Sequence, residues 1–151
     1  MKTKIFIIGL LIGFSSVYPS TSMFPKKISK EFLKLYPRVT KSFWDKEGKD
    51  YQVEFKKDKT EMSVIFNHKG NVLEKEFVIK NSVLPYGIKK FVSDLYPKYK
   101  ISKSSIINKS TGETLYETEI CKGKIQKDLL FDENSKIIHD EFGYFKAENE
   151  D

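Results

Sequence analysis

The chain has one cysteine, Cys121, in 151 residues, so no disulfide can close within it and whatever holds the fold must come from packing. Histidine is nearly as scarce. His68 and His139 stand alone, neither in an H-E-x-x-H spacing nor beside a candidate nucleophile, and each reads as a surface histidine. A glycine-rich phosphate loop, a G-x-S-x-G elbow, a cysteine cluster and a D-x-[DN]-x-[DN]-G calcium loop are all missing. Cys121 has no histidine near it in sequence, so it reads as an ordinary strand residue and not as a reactive thiol. These absences argue against an enzyme and against any cofactor or metal.

Long apolar runs are missing too. The one such run, residues 5–14, is ten residues long, about half of what a membrane-spanning helix needs. Lys2 and Lys4 precede it, and small residues including Ser20 and Ser22 follow, which is the pattern of a secretory leader. Residues 1–22 are therefore expected to be a signal peptide cleaved after Ser22. No lipid-acceptor cysteine stands behind the run. N-terminal sequencing of the exported protein reads the cleavage point directly. The expected location is the periplasm, with full secretion as the alternative, and no membrane insertion is expected after cleavage.

Cleavage removes two lysines and no acid, lowering the formal charge from +6 to +4. Lysines and acids alternate along the chain in the manner of a solvated surface, without a basic stripe, so nucleic acid is not expected as a partner. Twelve Phe and eight Tyr supply core material.

What is present is a phrase written twice. "FPKKISKEFLKLYPRV" and "LPYGIKKFVSDLYPKY" align with a constant offset of sixty, pairing Pro25 with Pro85, Ile28 with Ile88, Phe32 with Val92, Leu35 with Leu95, Tyr36 with Tyr96 and Pro37 with Pro97. Ile28, Phe32 and Leu35, like Ile88, Val92 and Leu95, fall at i, i+4 and i+7, the apolar stripe of a short helix opened and closed by proline. About three turns do not persist alone in water, so each helix must lie on something.

The residues after each helix alternate with period two, and the match continues at an offset of sixty-five, with Tyr51, Val64, Phe66 and Phe77 answering Tyr116, Leu129, Phe131 and Phe142. Four strands are expected per copy, at 39–45, 50–57, 61–67 and 72–79, then at 100–107, 113–121, 124–132 and 136–142. The expected class is α+β: two tandem repeats, each one short helix packed on a four-stranded antiparallel sheet. They span 23–80 and 81–145, and an acidic tail runs over 146–151. Parity places Tyr51, Val53, Phe55, Met62, Val64, Phe66, Leu73 and Phe77 under the first helix. Tyr116, Ile120, Leu129, Phe131, Ile138 and Phe142 fall under the second.

The opposite face reads as polar, with Gln52, Glu54, Ser63, Glu74, Glu76, Glu117, Glu119, Asp128 and His139 on it. Five apolar residues break that pattern. Trp44, Ile65, Val72, Leu130 and Ile137 are assigned there, where they form either a contact surface for a partner or a seam between the repeats.

The "LYP" exits together with Trp44, Tyr51, Val53, Phe55, Val64, Phe66, Gly70 and Val72, echoed by Tyr116, Leu129, Phe131 and Ile137, resemble the PepSY-like, beta-lactamase-inhibitor-like exported proteins of Bacteroidetes-type bacteria. The resemblance implies helix-covered antiparallel sheets in tandem and a sheet face available to another protein. The expected function is accordingly a non-enzymatic, protein-binding module of the cell envelope, an inhibitor or regulator of another envelope or extracellular protein. The alternatives are a structural accessory subunit and a small-ligand-binding protein.

Overall fold

The computed structural model describes residues 24–140. Helix α1 (Lys26–Leu35) leads into strands β1 (Ser42–Glu47), β2 (Asp50–Lys57), β3 (Thr60–Phe66) and β4 (Val72–Ile79). A 3-10 turn at Asn81–Val83 and helix α2 (Tyr86–Leu95) follow, then β5 (Lys100–Lys109), β6 (Thr114–Lys122), β7 (Ile125–Asp132) and β8 (Ile137–Asp140). The expected leader, the acidic tail and Phe142 lie outside the described residues.

The strands do not form two four-stranded sheets. They make one eight-stranded antiparallel sheet in the order β1-β2-β3-β4-β5-β6-β7-β8, and this overturns the expected class of two tandem helix-on-sheet units. The decisive contact is β4 with β5, paired from Glu74↔Lys109 to Ile79↔Ser104. A four-stranded sheet ending at β4 would leave a row of backbone N–H and C=O groups open, and pairing with β5 satisfies them. The 3-10 turn ties the join. Ser104 donates from Oγ to Asn81 Oδ1 at 2.8 Å, and Asn81 Nδ2 donates to the Ile101 carbonyl at 2.9 Å.

Both helices lie on the same face. Ile28 and Phe32 of α1 pack with Trp44, Val53, Phe55, Val64 and Phe66, and Ile88 and Val92 of α2 pack with Ile120, Leu129 and Phe131. Phe77 joins the first cluster and Ile79, two residues along the same strand, joins the second, so the sheet side is shared. Pro25 and Pro85 stand at the N-caps, where an N–H would have no helical partner.

Leu35 and Leu95 depart from expectation, since both are half exposed. Each helix stops there, and the next residue leaves helical geometry, with φ −133° at Tyr36 and −124° at Tyr96. The tyrosine ring then takes the inward place. Tyr36 sits 4.5 Å from Phe55 between centroids, and Tyr96 donates from its hydroxyl to Asp140 at 2.7 Å. The tyrosine of "LYP" is thus the core residue, and the leucine before it is not.

The β3–β4 turn shows why glycine stands at position 70. Its φ is +86°, a left-handed value, and its N–H donates to the Asn67 carbonyl at 2.9 Å while Asn67 Oδ1 accepts from the N–H groups of Lys69 and Asn71. Between β7 and β8, Asp132 plays the part of Asn67, accepting from Asn134 and Lys136.

Candidate functional site

Cross-strand register decides which residues share the face opposite the helices. Glu54, Ser63, Glu76, Ile107 and Leu115 form one row across β2 to β6, and Ser105, Glu117, Leu130 and His139 form another across β5 to β8. Gln52, Ile65 and Glu74 lie beside the first row, and Lys103, Glu119 and Asp128 beside the second.

Of the five apolar residues assigned to this face, two are there. Ile65 is 3% exposed and Leu130 4% exposed, the latter packed with Ile107, Leu115 and Ile138. The other three belong under the helices. Trp44 lies opposite Val53, 3% exposed, with its ring 5.3 Å from both Phe24 and Phe32 and its Nε1 donating to Ser42 Oγ at 2.9 Å. Val72 and Ile137 pack against the α1 and α2 clusters.

The cause of the Val72 and Ile137 reversal is a bulge in each half. Pairing shifts between Ile65↔Glu74 and Phe66↔Val72, leaving Leu73 as the extra residue, and between Leu130↔His139 and Phe131↔Ile137, leaving Ile138 as the extra one. One inserted residue exchanges the faces of everything on its far side. Leu73 and Ile138, expected under the helices, accordingly give up those places, and Ile138 packs on the opposite face.

The polar residues of this face do not form the wet surface that their alternation suggests. Glu76 is 8% and Glu117 7% exposed, and Gln52, Ser63 and Ser105 are buried as well. Glu76 on β4 and Glu117 on β6 lie on either side of β5 and on a diagonal, Glu76 opposite Ile107 and Glu117 opposite Ser105. Their long side chains reach over β5 and hydrogen-bond to each other. Ser63 adds a hydrogen bond from Oγ to Glu76 Oε2 at 3.3 Å.

Burial first, and the Glu76 charge next to it, push the Glu117 carboxyl from its ordinary value of 4.5 up to about 9. Asp128 adds to the push and Lys103 opposes it. At neutral pH the pair therefore keeps a proton, held at Glu117 within its hydrogen bond to Glu76. Glu54 and Glu74 are also raised, chiefly by burial. Lys103 reaches Glu61 at 3.5 Å, where Lys56 already pairs at 3.0 Å. His139 buries its Nε2 with no hydrogen-bond partner among the described residues.

What this face presents to a partner is its half-buried carboxylates, Glu54, Glu74, Glu119 and Asp128, set around the buried pair. At its β1 edge lies Phe43, opposite Glu54 and 48% exposed, an aromatic residue that sequence pattern does not single out. Its signal is weak, because position 43 next to a tryptophan reads as inward as easily as outward. No group of three metal-ligating side chains occurs among the described residues.

A helix-backed antiparallel sheet with its other side clear of both described helices has counterparts among solved structures. The chain is similar to a DUF2874 family protein from Bacteroides uniformis ATCC 8492, with a TM-score of 0.67 and 14% identity, over 77% of this chain and 87% of that one. A provisionally periplasmic protein from Bacteroides eggerthii DSM 20697 gives 0.68 and 12%, over 76% and 86%. A BLIP-like protein from Bacteroides fragilis NCTC 9343 gives 0.58 and 24%, over 84% and 89%. These likenesses show the fold, and they agree with the inhibitor-like half of the resemblance and not with PepSY specifically. No family model matches the chain, and no curated protein matches it at a significant level.

Proposed function

We propose that this chain is a non-enzymatic protein-binding module of the cell envelope, residing in the periplasm, which docks another envelope or extracellular protein on the sheet face opposite its helices and thereby inhibits or regulates it. The observation that carries the proposal is the composition of that face. Phe43 stands half exposed at its β1 edge among half-buried carboxylates, over a sheet stiffened by the buried cluster of Ile107, Leu115 and Leu130, while both described helices sit on the other side. The provisional periplasmic assignment of one fold neighbour and the BLIP-like description of another support the same reading. No described helix is long and apolar enough to cross a membrane.

Phe43 replaces Trp44 as the aromatic anchor of the proposed surface. Phe43→Ala is expected to weaken partner binding by more than about 1 kcal/mol with the melting midpoint close to wild type, because the ring is already half in water, and Phe43→Glu to abolish binding with a modest fall in the midpoint, because Glu54 lies directly opposite. Capture from envelope extract by wild type and by Phe43→Glu, compared by mass spectrometry, measures this. A partner retained equally by both would refute the docking face. Ile65 and Leu130 are too deeply buried to serve as surface probes.

A further inference from the structure

Folding sorts charges that alternate along the chain. Carboxylates outnumber lysines on the sheet face just described, and lysines outnumber carboxylates on the outer surface of the helices, most of all on α1. From this segregation we infer that the helix face is a docking surface for a bilayer carrying anionic phospholipid, where the protein adsorbs peripherally without inserting.

Helix α1 reads KKISKEFLKL, four lysines to one glutamate. Ile28 and Phe32 point into the core, which turns Lys26, Lys30 and Leu33, at i, i+4 and i+7, outward on the far side of the helix. All three are exposed, and so are Lys27 and Lys34. Lys34 pairs with Glu31 at 2.7 Å, whereas Lys26, Lys27 and Lys30 form no ion pair among the described residues. On the same side of the sheet, α2 turns Tyr86 and Lys90 outward by the same spacing, and Tyr86 is 76% exposed.

Two features select a lipid surface over a soluble polyanion. Leu33, half exposed, and Tyr86 stand among the cations, where a phosphate polymer has no use for them but a headgroup layer accepts an apolar side chain and an amphipathic ring. The cations of this face are also lysines. Arg38 is the chain's one arginine, so the forked donor that reads phosphate bidentately is absent from both helices. Lysine acts as a diffuse point charge, which suits a fluid anionic surface.

The experiment is vesicle co-sedimentation of the protein as exported by the expressing cell. It uses phosphatidylcholine vesicles and vesicles of phosphatidylcholine mixed with phosphatidylglycerol. Wild type should bind the mixed vesicles and not the neutral ones, and should be released in roughly 1 M salt, where screening shortens to about 3 Å. Reversing the α1 lysines together (Lys26→Glu, Lys27→Glu, Lys30→Glu, Lys34→Glu) should weaken binding by more than about tenfold. Leu33→Ser should weaken it by a smaller factor with its melting midpoint close to wild type, and the charge reversal, which breaks the Lys34–Glu31 pair and lowers the midpoint, is scored at a temperature where circular dichroism shows it folded. All proteins share one N-terminus, so any contribution from residues before α1 cancels. Equal binding to neutral vesicles, or binding undiminished by charge reversal, overturns the inference. So does heparin binding of comparable strength together with vesicle binding that ignores Leu33→Ser, which would mark a general polyanion surface. Neither result bears on the sheet face.

Discussion

Replacing Phe66 or Phe131 by alanine is expected to destabilise the protein by about 3–5 kcal/mol in each case, the usual cost of truncating a buried phenylalanine. Both rings are fully buried. Phe66 lies between Tyr51 on β2 and Val72 on β4, beneath α1. Phe131 lies between Tyr116 and Ile137, beneath α2, and meets Phe91 edge to face at 5.2 Å. Each stands beside a bulge and is paired to strands on both sides, so the backbone has little freedom to close the cavity. Denaturant titration measures the loss, and a neutral result at either position would contradict its burial. The continuous sheet adds a second expectation. Both substitutions should move one shared unfolding transition, because the β4–β5 pairing couples the halves, and two separable transitions would show that the join is weak.

Glu117→Gln is expected to raise stability near pH 8 and to flatten its dependence on pH. In the folded protein the carboxyl holds its proton up to about 9, against an ordinary value of 4.5, so between these values the folded state binds the proton that the unfolded chain has released. The contribution of this group is therefore fully present below about pH 4.5 and is lost as pH rises towards 9. Glutamine keeps a donor for Glu76 without needing the proton. Each tenfold change in proton affinity between the folded and unfolded chain is worth at most about 1.4 kcal/mol, so the difference between wild type and variant should reach a few kcal/mol at high pH. Denaturation midpoints at pH 5, 7 and 9 test it. Parallel curves would mean that Glu117 is not held protonated by its surroundings.

The same carboxyl pair explains why a sequence reader takes this face for a wet one. Glu54, Glu76, Glu117 and Glu119 alternate with apolar residues just as solvent-facing residues do, and alternation reports only that two faces differ. Whether a glutamate is solvated depends on which strands lie beside it, and the continuous sheet brings Glu76 of β4 and Glu117 of β6 together over β5. The charge segregation is hidden for a similar reason. Lysines and acids interspersed along the chain are partly separated by the pleat and by the helices, so that α1 shows four lysines to one glutamate while Glu54, Glu74, Glu76, Glu117 and Glu119 share one sheet face.

Local periodicity by itself determined much of this protein. The two helices, their proline-marked starts, the positions of eight strands and the inward places of Val53, Val64, Phe66, Leu129 and Phe131 all follow from spacings of two and of three to four residues, because those spacings are properties of the backbone near each residue. Only the tertiary structure decided that the strands make one sheet, that Leu73 and Ile138 bulge and so exchange the faces of Val72 and Ile137, that Trp44 answers Val53 from the helix side, and that Phe43 is left facing outward. Each of those depends on hydrogen bonds between strands whose register no short window of sequence contains, and a shift of one residue in that register moves a side chain from core to surface.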